Sequence, residues 1–129
     1  MSHHREVVTA LEAPAAIGPY SHAVRAGGLL FCSGQIPLDP ATGALVEGDI
    51  TAQARRVFEN LKAVAAAAGG SLDDAVRVGI YVTDLQHFAA VNAVMAEYFK
   101  TPYPARSTIE VSGLPKGAQV EVDAILVVG

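Results

Sequence analysis

Residues 104–128, PARSTIEVSGLPKGAQVEVDAILVV, decide the fold that the sequence predicts. Apolar and polar residues alternate over residues 106–112 and again over residues 118–128, which is typical of strands because successive side chains lie on opposite faces. Between them, residues 113–117 (GLPKG) carry the glycine and proline of a tight turn. We therefore predict that these two strands pair with each other as a hairpin.

The alternation places an arginine and a carboxylate on one polar face of this predicted hairpin. When apolar residues are matched across the turn, Ile109 pairs with Val120. Arg106 then lies one diagonal step from Glu121, and such neighbours are roughly 7–8 Å apart. Two interpretations fit: a surface ion pair across the strands, or an anion clamp beside a general base, since a guanidinium binds carboxylates bidentately. The pattern alone leaves both open.

The residues before this segment predict two helices and four further strands. Apolar residues at helical spacing predict a helix over residues 51–68, which Gly69-Gly70 ends, and a second helix between a cap at Asp84 and Thr101-Pro102. The strands are predicted at residues 6–11, 21–26, 29–33 and 75–82, with a turn at Gly27-Gly28. The order β-β-β-α-β-α-β-β indicates an α+β fold with both helices on one face of one sheet.

Composition and charge limit the function classes. The chain has 129 residues, of which 51% are hydrophobic and 17% charged, so we expect a single domain over residues 1–129 with some apolar surface covered by a partner. The net charge is −4, and Arg55-Arg56 is the only adjacent basic pair. A nucleic-acid partner is therefore not expected. No apolar run approaches the roughly 20 residues that span a bilayer, so no membrane partner is expected either.

The cysteine and the histidines predict neither a disulfide nor a metal site. Cys32 is the single cysteine; we expect it in the core, and it fits a reducing compartment. The N-terminus lacks the apolar core of a signal peptide, which predicts a cytoplasmic protein. The histidines show no metal-ligand spacing, and His22 is expected at the surface or at a cleft rim. They are His3, His4, His22 and His87.

Further motifs resemble the Rid family, the reactive intermediate deaminases that are also called YjgF-type proteins. Besides residues 104–111, they are residues 13–21 (APAAIGPYS), 32–37 (CSGQIP) and 91–93 (VNA). The resemblance covers nearly the whole chain in the order of the family. It implies a chorismate-mutase-like α+β fold and a homotrimer whose ligand clefts lie between subunits.

The same resemblance implies an enamine/imine deaminase that hydrolyses 2-imino acids, such as the imine form of 2-aminoacrylate, to 2-keto acids and ammonia. More narrowly, it implies a 2-iminobutanoate/2-iminopropanoate deaminase. Arg106 would bind the carboxylate of the substrate, and Glu121 would orient and deprotonate the attacking water. No metal or other cofactor is expected, because free imines already hydrolyse spontaneously.

The resemblance also implies residues that line the cleft. Tyr20 and Ser33 would bond ligand or water, the backbone at Thr108 would help to hold the ligand, and Asn92 is a further candidate. Asn92 has an alternative role as a cap or a bridge between backbone groups. Many family members carry cysteine where this chain has Thr108, so the preference for one imine over another stays open.

Other functions compete with the deaminase. A non-catalytic module that binds 2-keto acids and regulates a partner would use the same arginine. Endoribonuclease activity has been attached to relatives, but the acidic balance of this chain opposes it. A chorismate mutase would follow from fold analogy alone, which is a weak warrant for function.

Overall fold

The computed structural model describes residues 4–129, and in that range six strands form one sheet against two α-helices. The strands are β1 (Glu6–Val8), β2 (Ala23–Ala26), β3 (Leu29–Gln35), β4 (Ala75–Val82), β5 (Ala105–Glu110) and β6 (Val120–Val127). The helices are α1 (Ile50–Ala67) and α2 (Phe88–Tyr98), and short 3₁₀ turns lie at Leu72–Asp74, Leu85–His87 and Pro115–Gly117. The predicted α+β class and element order are confirmed.

The strand order of the sheet is β1-β2-β3-β6-β4-β5, so the predicted terminal hairpin is wrong. β4 lies between β5 and β6 and pairs with both: parallel to β5, with Val78 opposite Arg106, and antiparallel to β6, with Tyr81 opposite Glu121. A parallel pair needs a long connection, and α2 supplies it between β4 and β5. The turn at residues 113–117 therefore connects two strands that are not neighbours.

Both helices cover one face of the sheet, as predicted. The apolar residues of β4 and β6 that point to this face are fully or almost fully buried: Val78, Ile80, Val82, Val120, Val122, Ala124 and Leu126. Phe58 of α1 lies over them and packs against Tyr98 and Phe99, with ring centroids 5.5 and 5.8 Å away. Burying an aromatic ring of this size supplies a large part of the core.

Local signals placed the ends of several elements correctly. Gly69 has φ +79°, and the N–H groups of Gly69 and Gly70 donate to Ala66 and Ala65 carbonyls at 2.9 Å, which ends α1 in a Schellman motif. Gly27 and Gly28 both have positive φ and form the predicted turn between β2 and β3. Asp84 caps the 3₁₀ turn before α2 rather than α2 itself.

The other face of the sheet is open in the part of the chain that the structure describes. Phe31, Ile109 and Val127 point to it and are 44%, 48% and 49% exposed. They lie beside polar side chains, among them Tyr81, whose hydroxyl donates to Asp123 at 3.0 Å. Ile109 of β5 therefore faces this open side, on the same side of the sheet as Tyr81. None of the helices in residues 4–129 is long and apolar enough to cross a membrane.

Candidate functional site

Arg106 lies on β5, at the edge of the sheet, and points to the helix side. Its Nη1 donates to Oδ1 of Asn92 at 2.6 Å and lies 3.6 Å from Sδ of Met95. The guanidinium carbon is 5.3 Å from the centroid of the Phe88 ring, a cation–π distance. A cavity of about 490 Å³, here called the arginine cleft, is lined by Asn92, Met95, Ala96, Tyr103, Pro104 and Arg106.

Glu121 lies on β6 in a different cavity of about 420 Å³, here called the glutamate cleft. Tyr20 and Ser33, for which the family resemblance implies a cleft position, line this cavity together with Gln35 and Lys116. The hydroxyl of Ser33 donates to the Ser21 carbonyl at 2.6 Å, so its remaining capacity toward a ligand is that of an acceptor.

The register of the sheet separates Arg106 from Glu121. Arg106 is opposite Val78, whose side chain is buried under the helices, whereas Glu121 is opposite Tyr81 on the open face. The two residues are therefore on opposite faces of the sheet, with β4 between their strands. The prediction that they share one face and one pocket within a chain is wrong, because it rested on direct pairing of β5 with β6.

The surface ion pair between the two residues is excluded by the same geometry. Within the described residues, no carboxylate lies within salt-bridge distance of Arg106. Its polar partner is the neutral amide of Asn92, which leaves the positive charge without a compensating anion. A guanidinium in that state at the wall of a cavity is suited to bind an anionic ligand.

Glu121 is held against a gap in the neighbouring strand. The pairing of β3 with β6 shifts register between Cys32 and Gln35, and Gly34 lies in this irregular segment. A Cβ atom on Gly34 would come within 2.3 Å of Oε2 of Glu121, so a larger residue would displace the carboxylate from this position. Burial, and secondly the charge of Asp123, raise the pKa of the Glu121 carboxyl. A raised pKa makes a carboxylate a stronger base.

His22 organises the wall of the glutamate cleft, and its predicted surface position is wrong. The ring is buried, Nδ1 accepts from the Ala10 N–H at 3.0 Å, and Nε2 lies 2.7 Å from the Pro14 carbonyl. Since Nδ1 accepts, Nε2 carries the proton and donates. These bonds fasten Ala10 and Pro14 in the segment before Tyr20, and β1 ends at Val8 rather than at the predicted Leu11.

Asn92 and Thr108 lie near Arg106 in different ways. Asn92 lines the arginine cleft, and its carbonyl oxygen is occupied by the guanidinium. Thr108 is opposite Ile80 on β4, and its Oγ1 is buried without a hydrogen-bond partner among residues 4–129.

Cys32 is buried, as predicted, and its pKa is raised to about 12, first by burial and secondly by the charge of Asp123. A thiol in this state is a core residue rather than a nucleophile.

Residues that the sequence did not single out complete the two clefts. Phe88 and Met95 contact Arg106, but their helical spacing indicated only a buried face of α2. Lys116 lies in the turn before β6 with φ +58°, and its Nζ donates to the Gly43 carbonyl at 3.1 Å, which ties two loops of the glutamate cleft. A lysine with positive φ is uncommon, and neither composition nor alternation predicts this backbone conformation.

Comparisons with known sequences match the chain almost end to end. The profile of a family described as Endoribonuclease L-PSP matches residues 10–128. A RutC family protein of Pyrococcus horikoshii is 51% identical over 121 residues, 94% of this chain and 96% of that protein. A 2-iminobutanoate/2-iminopropanoate deaminase of Salmonella typhimurium is 48% identical over 118 residues, 89% of this chain and 91% of that protein.

Solved structures share the fold at similar identity. The protein YyfA of Yersinia pestis, described as of the Rid protein family, has a TM-score of 0.94 and 48% identity, covering 97% of this chain and 100% of its own. TdcF of E. coli, solved with bound serine, has a TM-score of 0.90 and 39% identity, covering 96% and 99%. The relatives carry different names, so the activity has to be argued from the clefts.

Proposed function

This chain belongs to the Rid family, the one whose profile is described as Endoribonuclease L-PSP, and on that premise we propose that it hydrolyses 2-imino acids to 2-keto acids and ammonia. Relatives named 2-iminobutanoate/2-iminopropanoate deaminase are 40%, 44% and 48% identical over most of the chain. Small imino acids of this kind, including the imine of 2-aminoacrylate, are the substrates that we propose for this chain.

The observation that supports the proposal is that Arg106 lies at a cavity without an anionic partner in the described chain. Its guanidinium is held at the wall of a cavity by a neutral amide, with no carboxylate of the described chain paired to it. A 2-imino acid offers a carboxylate to this group, and a charge-assisted hydrogen bond of this type contributes about 1.5–3 kcal/mol. The arginine thus selects ligands that carry an acid group next to the reactive carbon.

We propose that the complete site forms between protomers of a homotrimer. Arg106 and Glu121 lie on opposite faces of the sheet, so a single chain brings only one of them to each cleft. The open face exposes three apolar side chains, those of Phe31, Ile109 and Val127. Exposed apolar surface of this kind is typical of an interface, and we propose that a second copy of the chain covers it. Arg106 of one protomer and Glu121 of the next then share one ligand.

The proposed reaction needs only water and a base. Glu121 takes a proton from water as the oxygen adds to the imine carbon, the π electrons of the C=N bond move to nitrogen, and Glu121 passes the proton to that nitrogen. In the resulting carbinolamine, Glu121 takes the hydroxyl proton and gives it to the amino nitrogen, so that the C–N bond breaks, ammonia leaves and the ketone forms. General acid–base assistance of this kind contributes about 10²–10⁴ in rate. The raised pKa of Glu121 brings the base closer to neutral pH.

The test couples the purified protein to a threonine or serine dehydratase and traps the remaining imine with semicarbazide. We expect the wild-type protein to lower the amount of trapped imine and the Arg106→Ala variant to leave it high. Sedimentation and circular dichroism of that variant serve as controls for folding. Undiminished trapping with the wild-type protein would contradict the proposal.

A non-catalytic module that binds small metabolites is the second candidate. The serine named in the TdcF structure shows that a relative holds a small amino acid. In that case Glu121→Gln would leave ligand binding intact, and the wild-type protein would show no turnover. The family profile is described as an endoribonuclease, so RNA cleavage is a third candidate. Salt-sensitive RNA binding by this acidic chain would favour it.

A further inference from the structure

Three side chains on one face of α2 contact the guanidinium of Arg106 from the same side. They are Phe88, Asn92 and Met95, which we call the α2 cradle. Their spacing of four and then three residues places them on one stripe of the helix. The cradle therefore approaches the arginine from a single direction, and its three members differ in chemistry: an aromatic ring, an amide and a thioether.

The contacts of the cradle converge on one corner of the guanidinium. Oδ1 of Asn92 accepts from Nη1 at 2.6 Å, and Sδ of Met95 lies 3.6 Å from the same Nη1. The Phe88 ring, 5.3 Å from the guanidinium carbon, attracts the cation through its π face. Turning the guanidinium would break the Asn92 bond and the Met95 contact to Nη1, so these two contacts select one orientation, and the Phe88 ring holds the cation beside α2.

The opposite edge of the guanidinium is left for a ligand. Nε and Nη2 of Arg106 have no hydrogen-bond partner in the described part of the chain. Their two N–H groups are parallel and match the two oxygens of a carboxylate. The alternative, an end-on contact through Nη1 and Nη2, would compete with Asn92 for the hydrogens of Nη1.

We propose that the α2 cradle orients Arg106 so that its Nε–Nη2 edge receives the carboxylate of the ligand, and that Phe88, Asn92 and Met95 are positioning residues. The proposal rests on the proposed function for the identity of the ligand. It assigns Asn92 to the arginine rather than to the substrate. A neutral acceptor is required at this position, because an acidic side chain would itself pair with Arg106 and repel the incoming carboxylate.

The experiment measures binding of pyruvate, a 2-keto acid, to the full-length protein by calorimetry, together with kcat and KM for imine hydrolysis. For Asn92→Asp we expect pyruvate binding to weaken at least about tenfold, in line with insertion of a charge that competes for the guanidinium. The matched control is Ala93→Asp, which adds the same charge at an exposed neighbouring position of α2 outside the cradle. It should bind pyruvate as the wild-type protein does.

The Phe88 position supplies a second and milder measurement. Phe88→Leu removes the π face and should weaken pyruvate binding about two- to fivefold, the range of an exposed cation–π contact. Phe88→Tyr keeps the face and should restore wild-type binding. In Phe88→Leu, KM for the imine should rise with little change in kcat, because Glu121 and the water are untouched.

These outcomes separate the cradle from the proposed function. Loss of pyruvate binding in Asn92→Asp, without turnover in the wild-type protein, supports the cradle and contradicts the deaminase. Equal binding by Asn92→Asp and the wild-type protein, or equal weakening by Ala93→Asp, overturns the cradle. Absence of pyruvate binding by the wild-type protein overturns it too, as does a pyruvate-soaked crystal with the carboxylate on the Nη1–Nη2 end.

Discussion

Individual residues of the two clefts obtain their properties from neighbours that are distant in sequence. Glu121 depends for space on Gly34 of the neighbouring strand β3. Arg106 depends on Asn92, fourteen positions away, for its orientation. Neither pair consists of neighbours along the chain. The role of each residue therefore depends on a partner that folding brings to it.

Replacement of Gly34 by alanine tests the space that Glu121 needs. The added Cβ would lie 2.3 Å from Oε2 of Glu121 and would displace the carboxylate. We expect kcat/KM for imine hydrolysis to fall about 10²-fold, the typical effect of misplacing a catalytic group by an ångström. Gly113→Ala is the control, since nothing lies within 4 Å of a Cβ there. Wild-type activity in Gly34→Ala would remove Glu121 from the mechanism or show that it has room to shift.

The pH dependence of activity tests the electrostatics of Glu121. The base acts as a carboxylate, so kcat/KM should rise with pH, with its midpoint above the ordinary pKa of a glutamate because burial and Asp123 raise that pKa. Asp123→Asn removes the second cause and should move the rising limb to lower pH. Asp73→Asn, an exposed carboxylate elsewhere, should leave the profile in place. An unmoved limb in Asp123→Asn would mean that another group sets it.

At the scale of elements, the clefts are held by side chains that fasten loops to the helices and strands. Asn60 of α1 is fully buried, and its Nδ2 donates to the carbonyls of Leu38 at 2.9 Å and Ile36 at 3.3 Å. Both of these residues line the glutamate cleft. A helix that packs on the sheet thus also sets the position of the loop after β3.

Substitution of Asn60 by alanine should loosen this loop and destabilise the protein. It leaves the buried Leu38 carbonyl without its donor, whereas the Ile36 carbonyl keeps the Leu38 N–H at 2.7 Å. An unsatisfied buried acceptor typically costs about 1–3 kcal/mol of the free energy of unfolding. Urea unfolding at one fixed protein concentration measures the change, because the stability of the proposed trimer would depend on protein concentration. Lys62→Ala, at an exposed position of the same helix, should change the free energy of unfolding by less than about 0.5 kcal/mol.

At the scale of the whole molecule, the sheet keeps the two candidate chemical groups apart. Its helix-covered face carries Arg106 at the β5 edge, and its open face carries Glu121 near the bend of β3. In the proposed mechanism, the chain acts on an imino acid only when another copy supplies the missing group. The proposed trimer would then determine activity as well as stability.

Mixed assemblies of two inactive variants test this arrangement. Arg106→Ala and Glu121→Gln should each be inactive, but subunits of both kinds refolded together at equal amounts should recover about a quarter of wild-type activity. In a cyclic trimer, that is the fraction of interfaces in which both intact residues meet. If both residues acted within one chain, the mixture would stay inactive. Refolding each variant alone is the control.

Several features followed from the sequence because they depend on neighbours along the chain. Gly69-Gly70 ends α1 since glycine accepts positive φ, and Gly27-Gly28 turns the chain for the same reason. Alternation identified which residues of β6 are buried, as Val120, Val122 and Leu126 confirm. Helical spacing likewise identified α1 and α2, although it could not distinguish the residues of α2 that contact Arg106 from those of the core.

The sequence by itself determined the elements, their order and which side chains share a face within each strand. Only the tertiary structure decided the neighbours of β5 and β6, and with them the separation of Arg106 from Glu121. It also decided the burial of His22, whose two ring nitrogens bond backbone groups that local pattern does not reveal. The physical reason is that alternation arises from the geometry of one strand, whereas strand order arises from hydrogen bonds and packing between segments far apart in the chain.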